Sequence, residues 1–247
     1  MGNGVVFCII LHIGFSKLLI RKRMRPEKVT RVFLVLIGVV ALSVARIGVV
    51  GSLSAQTNAL PFEKWTKDEL QAARNEGIAE KDTYHDTLEK SVIFYTNLVR
   101  INPRLFAQTY LLAYLKNAPI EPSSKNVNSL KVTLNGMVPL NALTPAENLH
   151  RMAKDHAEKS GKSGEVGHAH FEQRLAKFTK SDYAFSGENC AYGVNEAFII
   201  FMQLLIDDGV ESLGHRKNLL NKDFKKIGVS QQPHKKYRWN CVMEFGG

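Results

Sequence analysis

Three histidines and one glutamate in this chain stand in short glycine-flanked strings: His168 and His170 in "VGHAH", Glu188 in "SGENCAYG" and His215 in "LGHRKN". Imidazole and carboxylate groups hold divalent metals, and imidazole exchanges protons near neutral pH. A glycine beside such a group lets the backbone turn tightly and a ligand approach closely. Two neutral imidazoles and one carboxylate would bind zinc or another divalent ion and leave a position open for water or ligand. The bland alternative is that Glu188 accepts hydrogen bonds from both rings and ties loops, strand and helix together as a satisfied polar network. Hydrolase signatures do not accompany these residues: the chain has no Gly-x-Ser-x-Gly elbow and no His-Glu-x-x-His string. Ser186 precedes Gly187-Glu188, but nothing marks an oxyanion hole beside it.

Several elements must position these groups. "LTPAENLHRMAKDHAEKSG" reads as a helix with Thr144 as N-cap, Pro145 at the first position, Glu147 completing a capping box and Gly161 ending it. Leu149, Met152, Ala153 and His156 form its buried stripe, so His156 is expected to be a packed, hydrogen-bonded histidine. In the glycine-rich loop that follows, an extended backbone would turn His168 and His170 to one face, making His170 the rival for the role of His168. "YAFSGENCAYG" reads as extended. "NEAFIIFMQLLIDDG" reads as a helix apolar nearly all round and therefore core. "FKKIGVSQQ" and "YRWNCVMEF" read as a closing antiparallel pair. Upstream, Thr66 and Glu69 have capping-box spacing, and Leu88, Val92, Tyr95 and Val99 form one helical stripe. Asn102-Pro103 breaks or restarts that helix, "RLFAQTYLLAYLKN" continues to about Asn117, and "LKVTLNGM" resembles a short strand ending in an Asn-Gly turn. Interspersed helices and short strands favour an α+β layered domain.

The 247 residues are 45% hydrophobic and carry a formal charge of +10. Residues 1–55 hold eight of the basic residues and one acid, so the remainder nets +3 and nucleic-acid binding is disfavoured. The excess flanks apolar runs at 5–20 and 32–55. The second ends in Ser52-Leu53-Ser54-Ala55, the build of an export signal, although Arg46 interrupts it. Met24 would serve as an alternative start. Residues 1–55 are thus expected to be a signal peptide cut near Ala55, or an anchor retained through 32–55. Residues 56–87 read as a linker with a short helix, and 88–247 as the domain. Such a protein would be secreted, periplasmic or at the cell surface. In an oxidising compartment Cys190 and Cys241 would form a disulfide, unless both are buried free thiols acting as small hydrophobes.

"GHAHFEQR", "SGENCAYG", "LIDDGVESLGHRKNLLNKDFKKIGVS" and "WNCVMEFG", in that order and spacing, resemble the CAP superfamily of cysteine-rich secretory proteins, antigen 5 and pathogenesis-related proteins. The match is closer to its bacterial branch, which pairs Gly-Glu-Asn with Gly-His-Arg-x-Asn, and it spans about residues 88–246. The resemblance implies an α+β fold, a three-layer α-β-α sandwich, here preceded by the hydrophobic leader. It also implies a central cleft lined by two histidines and two acids. His168 matches the first histidine, Glu188 the glutamate of Gly-Glu-Asn with Asn189 after it, and His215 the second histidine. The fourth position, which animal and plant members fill with a glutamate after a tryptophan, has no such tryptophan here. Asp207, Asp208 and Glu211 are the candidates, with Asp208 taken into the expected cleft, while Ser212 fits the serine that the bacterial branch often has. The implied function is an exported protein binding a divalent metal such as zinc through His168, Glu188 and His215, or a small hydrophobic or envelope-derived ligand. Membrane contact is expected only through the N-terminal segment. A metal-assisted hydrolase of peptides or envelope polymers is the alternative, and a structural module without a ligand is another. Arg174 and Arg216 would either bind an anionic ligand group or salt-bridge to the acidic face.

Overall fold

The computed structural model describes residues 8–12 (as backbone), 62–75, 81–118, 120–122, 124–180 and 182–247. The apolar run 32–55, Arg46, Met24 and the expected cut near Ala55 lie outside them. Among the described residues no helix is long and apolar enough to cross a membrane.

A five-stranded sheet forms the middle layer, in the order β1-β3-β5-β4-β2. Its strands are β1 (Cys8–His12), β2 (Thr144–Pro145), β3 (Ser186–Tyr192), β4 (Lys226–His234) and β5 (Arg238–Gly246). The β4–β5 hairpin and the β3–β5 pair are antiparallel, and β2 runs parallel to the start of β4. On one face lie α5 (Glu147–Ser163) and α6 (Phe171–Thr179). On the other lie α2 (Thr87–Ile101), the helical run 103–117 (α3), α4 (Lys125–Gly136), α7 (Ala197–Ile206) and α8 (Gly214–Leu219), with α1 (Lys67–Ala73) against α2. This is the expected α-β-α sandwich.

Strand alternation divides the core between the faces. Ala191, Ile227, Val229, Cys241, Met243 and Phe245 join the large cluster built with α2, α3, α4 and α7. Cys190, Tyr192 and Val242 point the other way, onto Ala153 and Ala157 of α5. Ala191 is the register partner of Cys241, and Cys190 that of Val242. The two cysteines therefore leave opposite faces of the sheet, and both are free thiols. The expected disulfide does not form.

Side-chain caps start four of the eight helices named above, α1 to α4. Thr66 and Glu69 make the expected capping box, and Asp86 makes a second with Glu89 at the start of α2. Asn102 ends α2 and caps the next helix, whose middle, Ala107–Leu111, is π-helical. Three expectations fail. "LKVTLNGM" is helical, because Val127, Leu130 and Leu134 are buried at helical spacing while Val132 is 75% exposed; the alternation of Leu130, Val132 and Leu134 was equally compatible with a strand. Thr144 is no N-cap: Thr144 and Pro145 pair with Lys226 and Ile227, which delays α5 until Glu147, after Ala146. Nor does Gly161 end α5. It lies within the helix, against β4, where a Cβ would come 2.2 Å from the Pro233 carbonyl oxygen. Gly164, at φ 74°, is the left-handed C-cap.

Candidate functional site

Gly167 sets the site's geometry. Its φ of 101° suits glycine. Its N–H donates to the Tyr192 hydroxyl (2.9 Å) and its carbonyl accepts from His156 Nε2 (2.7 Å). Thus anchored between β3 and α5, the loop turns the next residue inward, and His168 Nδ1 meets Glu188 Oε1 at 2.5 Å. His170, two residues on, adopts a left-handed conformation at the start of α6 and is exposed, so it is no rival. The segment is a turn, and the shared face expected of an extended backbone does not exist.

Glu188 is fully buried on the α5–α6 side of β3. Directly opposite it in register, on β5, stands Glu244, also buried. Arg174 of α6 reaches down between them, its Nη1 2.7 Å from Glu188 Oε2 and 2.8 Å from Glu244 Oε1. Burial alone would raise the Glu188 carboxyl, but Arg174, the His168 hydrogen bond and His156 hold it well below the usual carboxylate range. Burial and the neighbouring Glu188 charge push Glu244 well above that range, with Arg174 only partly opposing them. Of the two, Glu244 is therefore the one that takes up a proton first and Glu188 the one that stays ionised longest as pH falls. The signal for Glu244 was an acidic residue at an inward position of an apolar strand, in "CVMEF".

His215 belongs to a different assembly. Asn189, facing away from Glu188 along β3, donates Nδ2 to the His215 carbonyl (3.1 Å) and accepts Asn218 Nδ2 (2.8 Å), which also reaches the Glu188 backbone carbonyl. The His215 ring is fully buried, with Nδ1 2.7 Å from Asp207 Oδ1. Asp207, the left-handed C-cap of α7, also accepts the Arg216 N–H. The Arg216 guanidinium donates to the carbonyls of Leu205, Ile206 and Asn126 and to Ser129 Oγ, so it caps helix carbonyls in place of binding an acidic face. Asp208, Glu211 and Ser212 are exposed, and Asp207 is the buried acid of this segment. The expected meeting of His168 and His215 on Glu188 is thus replaced by two separate pairs, His168–Glu188 and His215–Asp207.

The residues do not fit the expected metal. Among the described residues the His/Cys/Asp/Glu group close enough to share an ion is His156, Glu188 and Cys190, within 4.8 Å of one another. It is poorly set to ligate. His156 Nε2 donates its proton to Gly167, burial and then the Glu188 charge push the Cys190 thiol up to about 12, and Arg174 already neutralises Glu188.

Beside this cluster α5 and α6 frame a surface depression of about 210 Å³. His156 and Arg174 line it, with Lys159, Glu165, His170 and Lys177 around them. Lys159 and Lys177 both bond Asp155. Arg174 is 5% exposed, and its Nη2 has no hydrogen-bond partner among the described residues.

The family described as the cysteine-rich secretory protein family, CAP, matches residues 96–245. No curated protein matches the chain. Among solved structures, an outer surface protein of Borrelia burgdorferi is 25% identical, with a TM-score of 0.38 over 51% of this chain and 95% of that one. A cysteine-rich secretory protein of Staphylococcus aureus is 14% identical, with a TM-score of 0.41 over 67% of this chain; the match spans 40% of that protein's length.

Proposed function

Because the chain belongs to the cysteine-rich secretory protein (CAP) family, we propose that it acts outside the cytoplasm as a binding module whose ligand places an anionic group in the depression between α5 and α6. The observation that carries this reading is Arg174. Its Nη1 is fixed by Glu188 and Glu244, while Nη2 is buried with no hydrogen-bond partner among the described residues, at the floor of a depression that the side chain helps to line; a small shift of the rim would let an anionic group reach this donor. Guanidinium forks recognise carboxylates and phosphates, and a fork already immobilised loses little entropy on binding. Lys177 and His170 at the rim add positive or donor groups. Apart from Ala169 the lining residues are polar or charged, although much of the surface they present is that of their apolar stems, and their charged ends favour an acidic envelope-derived fragment over a lipid-like ligand. The N-terminal apolar run would direct export or tether the domain.

Hydrolysis gains no support from this geometry, because Glu188 and Glu244 are sealed beneath α6 and out of a substrate's reach. The test is calorimetric titration of the protein with a soluble acidic peptidoglycan digest, with inorganic phosphate and with zinc. Saturable binding of the digest is expected, weakened about tenfold in Lys177→Ala and His170→Ala, both of them at exposed positions. No zinc site is expected. Absence of digest binding, or affinities unchanged in both variants, refutes the proposal.

A further inference from the structure

The free edge of β4 is finished by side chains. Among the described residues β2 pairs only with Lys226 and Ile227, and β4 has no other strand on that side. Backbone groups beyond that point still need partners. The Val229 N–H donates to His85 Nε2 (3.0 Å), the Val229 carbonyl accepts from His150 Nδ1 (2.8 Å), and the Gln231 N–H donates to Glu89 Oε1 (2.9 Å). Two of the three, His85 and Glu89, come from residues 82–89, which precede the family match at 96–245. Accepting an N–H leaves no room for a proton on His85 Nε2. The ring must therefore be neutral with its proton on Nδ1, donated to Asp82 Oδ1 at 2.9 Å.

We propose that the segment Asp82–Glu89 is an acid-released clasp, in which protonation of His85 withdraws the acceptor from Val229 and frees that part of the β4 edge while Glu89 stays anchored. The groups facing His85 are Asp82 on its own segment, the Tyr84 ring, Lys90 of α2 and His150 of α5. Tyr84 is in turn faced by Glu147 and Tyr183. Burial, with His150 and Lys90, outweighs the Asp82 carboxylate and brings His85 down to about 4. A lowered histidine value means the neutral-pH hold is complete above about 6.5 and is lost as pH falls towards 4. Glu89 faces Asp86, His150 and, from β5, the Cys241 thiol. Its carboxyl is raised by burial, though the Gln231 and Asp86 amides, which favour the charged form, oppose this; a protonated carboxyl keeps an oxygen that still accepts the Gln231 N–H, whereas a protonated His85 Nε2 has no acceptor left. Opening thus starts at His85, and an uncovered edge can accept another strand.

Residue-resolved amide hydrogen exchange of the whole protein between pH 7 and pH 4 tests the clasp, after correction for intrinsic rates. The opening equilibrium at Val229 should rise about 100-fold over this range, the expectation for a group moving from 6.5 to about 4. Gln231 and the inner-edge Ser230 should change little. His85→Gln, which keeps an acceptor but cannot titrate, should abolish the rise, and the wild-type His85 ring should titrate below pH 5. A flat Val229 profile, a rise that persists in His85→Gln, a matching rise at Ser230, or a His85 ring titrating near 6.5 overturns the proposal.

Discussion

Glu188 and Glu244 face each other across two strands but are pushed in opposite directions, Glu188 towards the carboxylate and Glu244 towards the acid, and so they predict opposite mutational outcomes. Glu188→Gln removes the charge that balances Arg174 inside the protein, which costs about 3–5 kcal/mol for a broken buried pair. Glu244→Gln replaces a neutral acid by a neutral amide and should lie within about 1 kcal/mol of wild type at pH 5. The pH dependence separates them further. The depressed value of Glu188 contributes stability above the unfolded value of about 4.3, lost as pH falls through its folded value. The raised value of Glu244 acts in reverse, lowering stability as pH climbs above about 4.3. Glu244→Gln should therefore gain on wild type between pH 5 and pH 8 in urea unfolding. Equal losses for both variants at all pH values would contradict this order of protonation.

At the scale of elements, the motifs "SGEN" and "GHRKN" go together because their amides zip a helix to a strand. Asn189 and Asn218 bond each other, and each also takes a backbone carbonyl from the other element. Asn218→Ala should cost about 2–3 kcal/mol, since buried acceptors on β3 lose their donor. Helix α5 depends on a different device, direct backbone approach to β4. A Cβ at Gly228 would lie 2.1 Å from the His150 backbone nitrogen. Gly228→Ala must therefore push α5 off the sheet, at a cost of about 3 kcal/mol or more. Thermal melting of both variants checks these values, and a Gly228→Ala protein as stable as wild type would show that α5 packs elsewhere. Arg100 gives α8 a third tie: fully buried, it donates to the carbonyls of Leu219, Asn221, Phe224 and Asn141, and burial brings it down to about 10.

For the whole molecule, the sheet decides the redox chemistry. Cys190 and Cys241 lie on neighbouring strands, one residue out of register and on opposite faces, so no backbone adjustment short of unfolding joins them. Thiol titration of the unfolded, unreduced protein should count both as free; their recovery as a disulfide would mean that β3 and β5 pair in another register.

How much could be read in advance follows the same physics. The Thr66–Glu69 capping box, the breaking Asn102-Pro103 pair, the apolar α7 and the β4–β5 hairpin are consequences of neighbouring residues, so the sequence by itself determined them, together with the layered fold. What it left open depended on which face a residue met. Val127, Leu130 and Leu134 became a helix because a core lay on that side. The left-handed turn at His170 carried one of two eligible histidines into solvent, and alternation along β3 sent Glu188 to α6 while Asn189 went to α8. His215 was drawn to Asp207, and Glu188 to Glu244 and Arg174. Local spacing specifies periodicity and turn chemistry, but the partner of a buried charge is set by whichever opposite charge the layers bring within a few ångströms, and that is decided in three dimensions.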